Sequence, residues 1–203
     1  DRKFGVNLFG YYNEELGIGE DCRTVAMALK QADIPLQIIG IPTQSCTDAL
    51  RKLSRLSPDT VAPYAFNLYC MTCEEHARIF MELGEQIQSN RYCIGYWPWE
   101  LSQWPDAWIP LLSLVDEVWA SSKFTYDSLE PFFKHPKSHL QLLPLCLKNQ
   151  KVLDNVEFLS WRKKFNIPTD AIQFICSFDG RSGFWRKNPW GAIKAFQLAF
   201  QQE

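Results

Sequence analysis

The chain has 203 residues, 46% of them hydrophobic and 22% charged, which suits a folded protein with a buried core and excludes a disordered polypeptide. A formal net charge of −2 gives no global electrostatic case for binding nucleic acid. No apolar run approaches the roughly 20 residues of a membrane span, and Asp1-Arg2-Lys3 leads into too short an apolar stretch to read as a signal peptide.

Short runs rich in β-branched and aromatic residues alternate with longer amphipathic ones. That is the pattern of an α/β fold, a Rossmann-like, mostly parallel sheet flanked by helices. In chain order the spacing predicts strand 4–9, helix 20–32, strand 36–41, helix 47–56, strand 65–70 and helix 74–88. Strand 92–97, helix 104–114, strand 117–120, helix 124–132 and strand 140–143 follow. A polar stretch at 148–155 then separates a first domain, residues 1–147, from a second, residues 148–203, which resumes with helix 158–165, strand 173–178 and helix 189–202. A lone strand with its flanking helices cannot bury both faces. The second unit is therefore expected to be an incomplete Rossmann-like domain, and the chain a piece of a longer one.

Seven cysteines, an odd number without framework spacing, sit mostly in apolar contexts such as Tyr92-Cys93-Ile94 and Phe174-Ile175-Cys176. They read as reduced, buried, intracellular thiols. Cys70-Met71-Thr72-Cys73 with His76 has the spacing of a partial metal or redox site. It lacks a second CxxC, His135 and His139 lie far along the chain, and a thioredoxin-like role would need the pair exposed at a helix start, so no metal is expected. Ser121-Ser122 follows a strand and is expected to cap the next helix, since no GxSxG elbow is present.

Three segments point to ligand chemistry. The run from Gly10 to Asp21 follows a strand and opens a helix, and Gly17 and Gly19 let backbone N–H groups approach a ligand at the positive end of the helix dipole. It is not the GxGxxG dinucleotide fingerprint, which argues against a Rossmann oxidoreductase. A plain strand-to-helix turn is the alternative, and Glu20 and Asp21 would repel an anion there. Second, Arg186-Lys187-Asn188-Pro189 places two cations just before a helix that Asn188 caps and Pro189 begins. An anion such as phosphate would relieve their repulsion; two solvated loop cations are the alternative. Third, Gly95-Tyr96-Trp97-Pro98-Trp99-Glu100 follows a strand at the end of the sheet where open α/β folds bind ligands. Half of the eight Trp residues lie between Trp97 and Trp108. Glu100 among such rings would have its pKa raised by desolvation and serve proton transfer or hold a hydroxyl, unless it merely caps a helix.

The run Gly5-Val6-Asn7-Leu8-Phe9-Gly10-Tyr11, then Glu15-Leu16-Gly17-Ile18-Gly19-Glu20, resembles the start of family 4 (group 1) glycosyltransferases. Tyr96-Trp97-Pro98-Trp99-Glu100, Val115-Asp116-Glu117-Val118-Trp119-Ala120-Ser121-Ser122, Trp161-Arg162-Lys163-Lys164-Phe165 and Arg186-Lys187-Asn188-Pro189 resemble later segments of the group, in order and across essentially the whole chain. The resemblance implies a GT-B architecture and a retaining, metal-independent hexosyltransferase with no cofactor beyond its nucleotide-sugar donor, of UDP or GDP type. Arg186 and Lys187, with Arg181 as an alternative first cation, are implied to neutralise the donor diphosphate. Gly17 and Gly19 are implied to lie near the diphosphate or the acceptor, and Glu100 on the acceptor side as a catalytic residue. The implied acceptor is a saccharide or lipid-linked hydroxyl in polysaccharide synthesis, and the implied location cytoplasmic, or peripheral at the inner membrane face. The acidic pair that holds the donor sugar in this group has no counterpart here, so this chain alone is expected to be inactive or a non-catalytic glycan- or partner-binding module. Its exposed cleft face would offer a site of self-association.

Overall fold

The computed structural model describes residues 2–43, 48–133, 139–144, 152–178, 180 and 183–200, which fall in two compact units, Asp1–Asn149 and Gln150–Glu203. The expected division at residue 147 lies outside the described residues.

The first unit is built on β1 (Lys3–Gly10), α1 (Gly17–Gln31), β2 (Leu36–Gly40), α2 (Asp48–Ser54), α3 (Pro58–Val61), β3 (Tyr64–Cys70), α4 (Cys73–Leu83), β4 (Tyr92–Tyr96), β5 (Glu117–Ala120), α5 (Lys123–Leu129) and β6 (His139–Leu142). All six strands are parallel, in the order β2-β1-β3-β4-β5-β6. The path steps one way from β1 to β2 and the other way from β2 through β6. Right-handed crossovers therefore place α1 on one face and the later helices on the other. Side-chain alternation serves both faces: Leu8, Leu68 and Ile94 pack with Cys22 and Ala26 of α1, while Phe9, Tyr69 and Cys93 pack with Leu50, Val61 and Ile79 of α2, α3 and α4.

Polar groups inside the sheet are paired. Asn7 and Asn67, both fully buried, join β1 to β3 through Asn7 Nδ2 donating to Asn67 Oδ1 at 2.9 Å, and Asn67 Nδ2 donates to the Ile87 carbonyl at 2.9 Å. Arg91, also buried, donates to the carbonyls of Ala62 and Ile87 and to Asp59 Oδ1 at 2.9 Å. Burial and the nearby Arg2 lower the pKa of the Arg91 guanidinium.

Helices depart from expectation where the backbone chemistry intervenes. The segment expected as helix 104–114 is a 3₁₀ helix, Asp106–Leu114, with Pro110 inside it, which cannot donate to an α-helical ladder. Helix 74–88 is cut at Gly84, whose φ of +82° ends α4 before a 3₁₀ turn at Glu85–Ile87. Ser57 caps the short α3, and Ser122 caps α5 as expected, each accepting an N–H at 3.2 Å.

The second unit holds α6 (Asn155–Lys164), α7 (Phe184–Lys187) and α8 (Pro189–Ala199). Asp154 and Glu157 form a capping box at the start of α6, and Arg162 donates to the carbonyls of Pro168 and Ala171. The expected strand 173–178 is a correction. The segment pairs with no strand among the described residues, and Ile172 and Ile175 stand 87% and 79% exposed. Apolar, extended chain becomes a strand only beside a second one. Cys176 is accordingly exposed rather than buried, whereas Cys22, Cys70, Cys73 and Cys93 are buried free thiols. Among the described residues no helix is long and apolar enough to cross a membrane.

Candidate functional site

The strand order reverses between β1 and β3, and a crevice opens beyond the carboxyl ends of strands at such a reversal. Gly10 and Cys70 are ladder partners there. The loop after β1 runs into α1 and the loop after β3 runs into α4, so two helix N-termini meet at one edge of the sheet.

They are finished differently. At α4, Thr72 caps the terminus, accepting the Glu75 N–H at 3.3 Å, and Glu74 and Glu75 supply negative charge. Glu75 Oε2 accepts from the Tyr11 hydroxyl and from Arg78 Nη2 at 2.7 Å and Nε at 2.9 Å. Arg78 also pairs with Glu82 at 3.1 Å and donates to the Pro42 carbonyl at 3.3 Å. The segments leaving β1, β2 and β3 are thereby tied together, and this terminus is occupied by the protein itself. Burial and the bond to Glu75 hold the Tyr11 phenol well above its ordinary range.

At α1 no side chain caps the terminus. Leu16 occupies the cap position, and Gly17, the first helical residue, has no heavy atom within 4 Å of where a Cβ would stand. Gly19 has another reason to be glycine: a Cβ there would lie 2.5 Å from the Glu14 carbonyl oxygen and 2.7 Å from that of Tyr11. The loop is clamped onto the helix by Arg23, whose Nη1 donates to the Tyr12 and Glu14 carbonyls at 2.9 Å each. Arg23 Nε also takes the Glu20 carboxylate at 2.9 Å. Burial, with Glu20 beside it, raises the Asp21 pKa. Of the two acids that would repel an anion, Glu20 is thus paired with a cation. The Gly17 end of α1 is left open and electropositive by its dipole.

The Trp segment is organised around itself. Trp97 and Trp104 are buried and stacked at 6.2 Å, with Trp99 and Trp108 edge-on to Trp104 at 5.5 and 5.6 Å. His76 continues the array, 5.7 Å from Trp97 and stacked on Tyr69 at 3.6 Å. Glu100 is exposed, and the Trp rings pack on one another. The CxxC segment is equally enclosed. Burial pushes the Cys73 thiol up to about 12, with Glu74 adding to it, and takes the His76 pKa down to about 3. Among the described residues no group of three His, Cys, Asp or Glu side chains could hold a metal ion.

In the second unit Arg186 and Lys187 are exposed in the last turn of α7. Asn188, at φ +45°, turns the chain and accepts the Gly191 N–H at 3.1 Å, and Pro189 begins α8, as expected. The added turn of helix puts both cations at a carbonyl end, which lessens the repulsion inferred from sequence. Arg181 lies outside the described residues. Tyr11, Arg23, Glu75 and Arg78 were not anticipated as site residues; the i,i+3 and i,i+4 spacing of Glu75, Arg78 and Glu82 was the available signal.

No protein-family model matches the chain, and no curated protein matches it.

Proposed function

We propose that this protein contributes to glycosyl transfer, moving a hexose from a nucleoside-diphosphate donor to a hydroxyl acceptor with retention. The observation that carries the reading is the uncapped, glycine-started terminus of α1 beyond the carboxyl end of β1, where Arg23 pairs with Glu20. The Arg186-Lys187 pair ahead of the Asn188-capped α8 supports it, because fixed cations stabilise the charge that a departing diphosphate gains. In this reading Arg186, Lys187 and Arg181 hold the diphosphate. Gly17 and Gly19 serve diphosphate or acceptor, and Glu100 meets a saccharide or lipid-linked acceptor. The free thiols agree with a cytoplasmic protein, including one peripheral to the inner membrane face.

A glycan-binding module without turnover is the second reading, favoured by Glu100, which stands exposed where a general acid would be enclosed. The deciding experiment offers the intact protein a mixture of nucleotide sugars, identifies what is retained by mass spectrometry, and then assays sugar transfer. A retained UDP- or GDP-sugar supports the first reading. Glycan capture on an array with no retained donor and no transfer supports the second.

A further inference from the structure

Cys70 ends β3 with its side chain on the sheet face that α1 covers, and Cys22, in the second turn of α1, meets it there. Gly10, the ladder partner of Cys70, makes the room: a Cβ on Gly10 would lie 2.6 Å from Cys22 Sγ and 2.9 Å from the Cys70 carbonyl oxygen. The two side chains belong to one cluster of buried residues, Cys22 fully buried and Cys70 1% exposed. Cys73, the partner that CxxC spacing suggests, starts α4 in a different cluster, packed with Trp97 and Trp104.

We propose that Cys22 and Cys70 are an oxidisable dithiol whose disulfide staples α1 to β3 beneath the open α1 terminus. A disulfide between them needs Cα atoms within about 7 Å, and rotation about the χ angles then brings the two sulfurs to bonding separation. With diamide, an azo oxidant, one sulfur adds as thiolate to the N=N bond and the second sulfur then displaces the hydrazine nitrogen. The S–S bond forms, N=N is reduced to NH–NH, and both thiol protons end on nitrogen. The neighbouring Cys22 thiol and burial raise the Cys70 pKa, so the reaction waits on local opening of the first turns of α1. It is therefore slower than modification of the exposed Cys176. The inference is independent of the transferase reading, because its readout is the bond itself.

The test treats the intact protein with excess diamide, blocks residual thiols, and maps the digest by mass spectrometry with and without dithiothreitol. The expected result is a reducible Cys22–Cys70 crosslink, lighter than the free peptides by a pair of hydrogens, that appears after Cys176 has reacted. Cys73→Ala retains the crosslink and Cys22→Ser abolishes it; should either variant fail to fold, mapping of the unmodified sequence decides alone. A crosslink from Cys70 to Cys73, or Cys22 and Cys70 both free after complete reaction of Cys176 even in mild urea, overturns the proposal.

Discussion

Gly19 lies so close beneath Glu14 that a Cβ on it would stand 2.5 Å from the Glu14 carbonyl oxygen. Backbone cannot yield there as a flexible side chain would, since Arg23 holds the same carbonyl at 2.9 Å. Gly19→Ala is therefore expected to destabilise the protein by about 1–3 kcal/mol through overpacking, despite the roughly 1 kcal/mol that alanine normally gains over glycine inside a helix. Gly17→Ala, with open space around it, should leave stability unchanged or slightly raised. Urea unfolding of both variants checks the contrast. Equal effects would sink the division of roles between the two glycines.

The Tyr11–Glu75–Arg78 cluster joins three strand ends, and its members act as a unit. Tyr11→Phe removes one hydrogen bond to a charged group and is expected to cost about 1.5–3 kcal/mol. Arg78→Met removes both ion pairs together with the bond to the Pro42 carbonyl, leaves two partly buried carboxylates without their shared cation, and should cost more. The double variant should cost less than the sum, because Glu75 is common to both interactions. Simple additivity in denaturant titrations would show that the residues are not coupled.

How much of this was legible beforehand differs by element. The central strands announce themselves through apolar runs such as Tyr92–Tyr96, since a strand buried on both faces needs little else. Residues 173–178 carry the same composition, yet a strand is a property of a pair and among the described residues no strand pairs with this one. Strand parity explains the CxxC segment: Cys70 packs with α1, whereas Cys73 begins a helix packed in another cluster, so the spacing does not bring the two thiols together. The Tyr11–Glu75 contact spans 64 residues, a separation no local pattern reports. For Glu100 the neighbouring Trp residues were visible, but not that their rings would choose one another.

His76 makes the protein sensitive to acid. Burial lowers its pKa from an ordinary 6.5 to about 3, and its Nδ1 has no hydrogen-bond partner. Below pH 6.5 the unfolded chain takes up a proton on this ring while the folded chain does not until about 3. Stability is then fully present above the unfolded pKa and falls as pH drops through that window, by about 1.4 kcal/mol per pH unit at its steepest. His76→Gln should lower stability at pH 7.5 but flatten the loss between pH 6 and pH 5, as urea midpoints at each pH would show. An undiminished slope in the variant would assign the acid sensitivity to other groups.

The donor side is tested at Lys187. It stands exposed immediately before Asn188, whose side chain caps α8, so an anion bound there would meet both the ammonium and the positive end of an 11-residue helix. A hydrogen bond from a charged donor to phosphate is worth about 1.5–3 kcal/mol, which corresponds to a roughly 10- to 100-fold weaker Kd for the nucleotide sugar in Lys187→Ala. Lys187→Arg, which keeps the charge, should recover most of the loss. Asn188→Ala is expected to weaken binding by less, since it loosens the helix start without removing a cation, and to cost about 1 kcal/mol of stability. Calorimetry on the full-length polypeptide separates these effects. Donor affinity unchanged in Lys187→Ala would remove the phosphate-binding role from this turn and, with it, the main support from the second unit for glycosyl transfer.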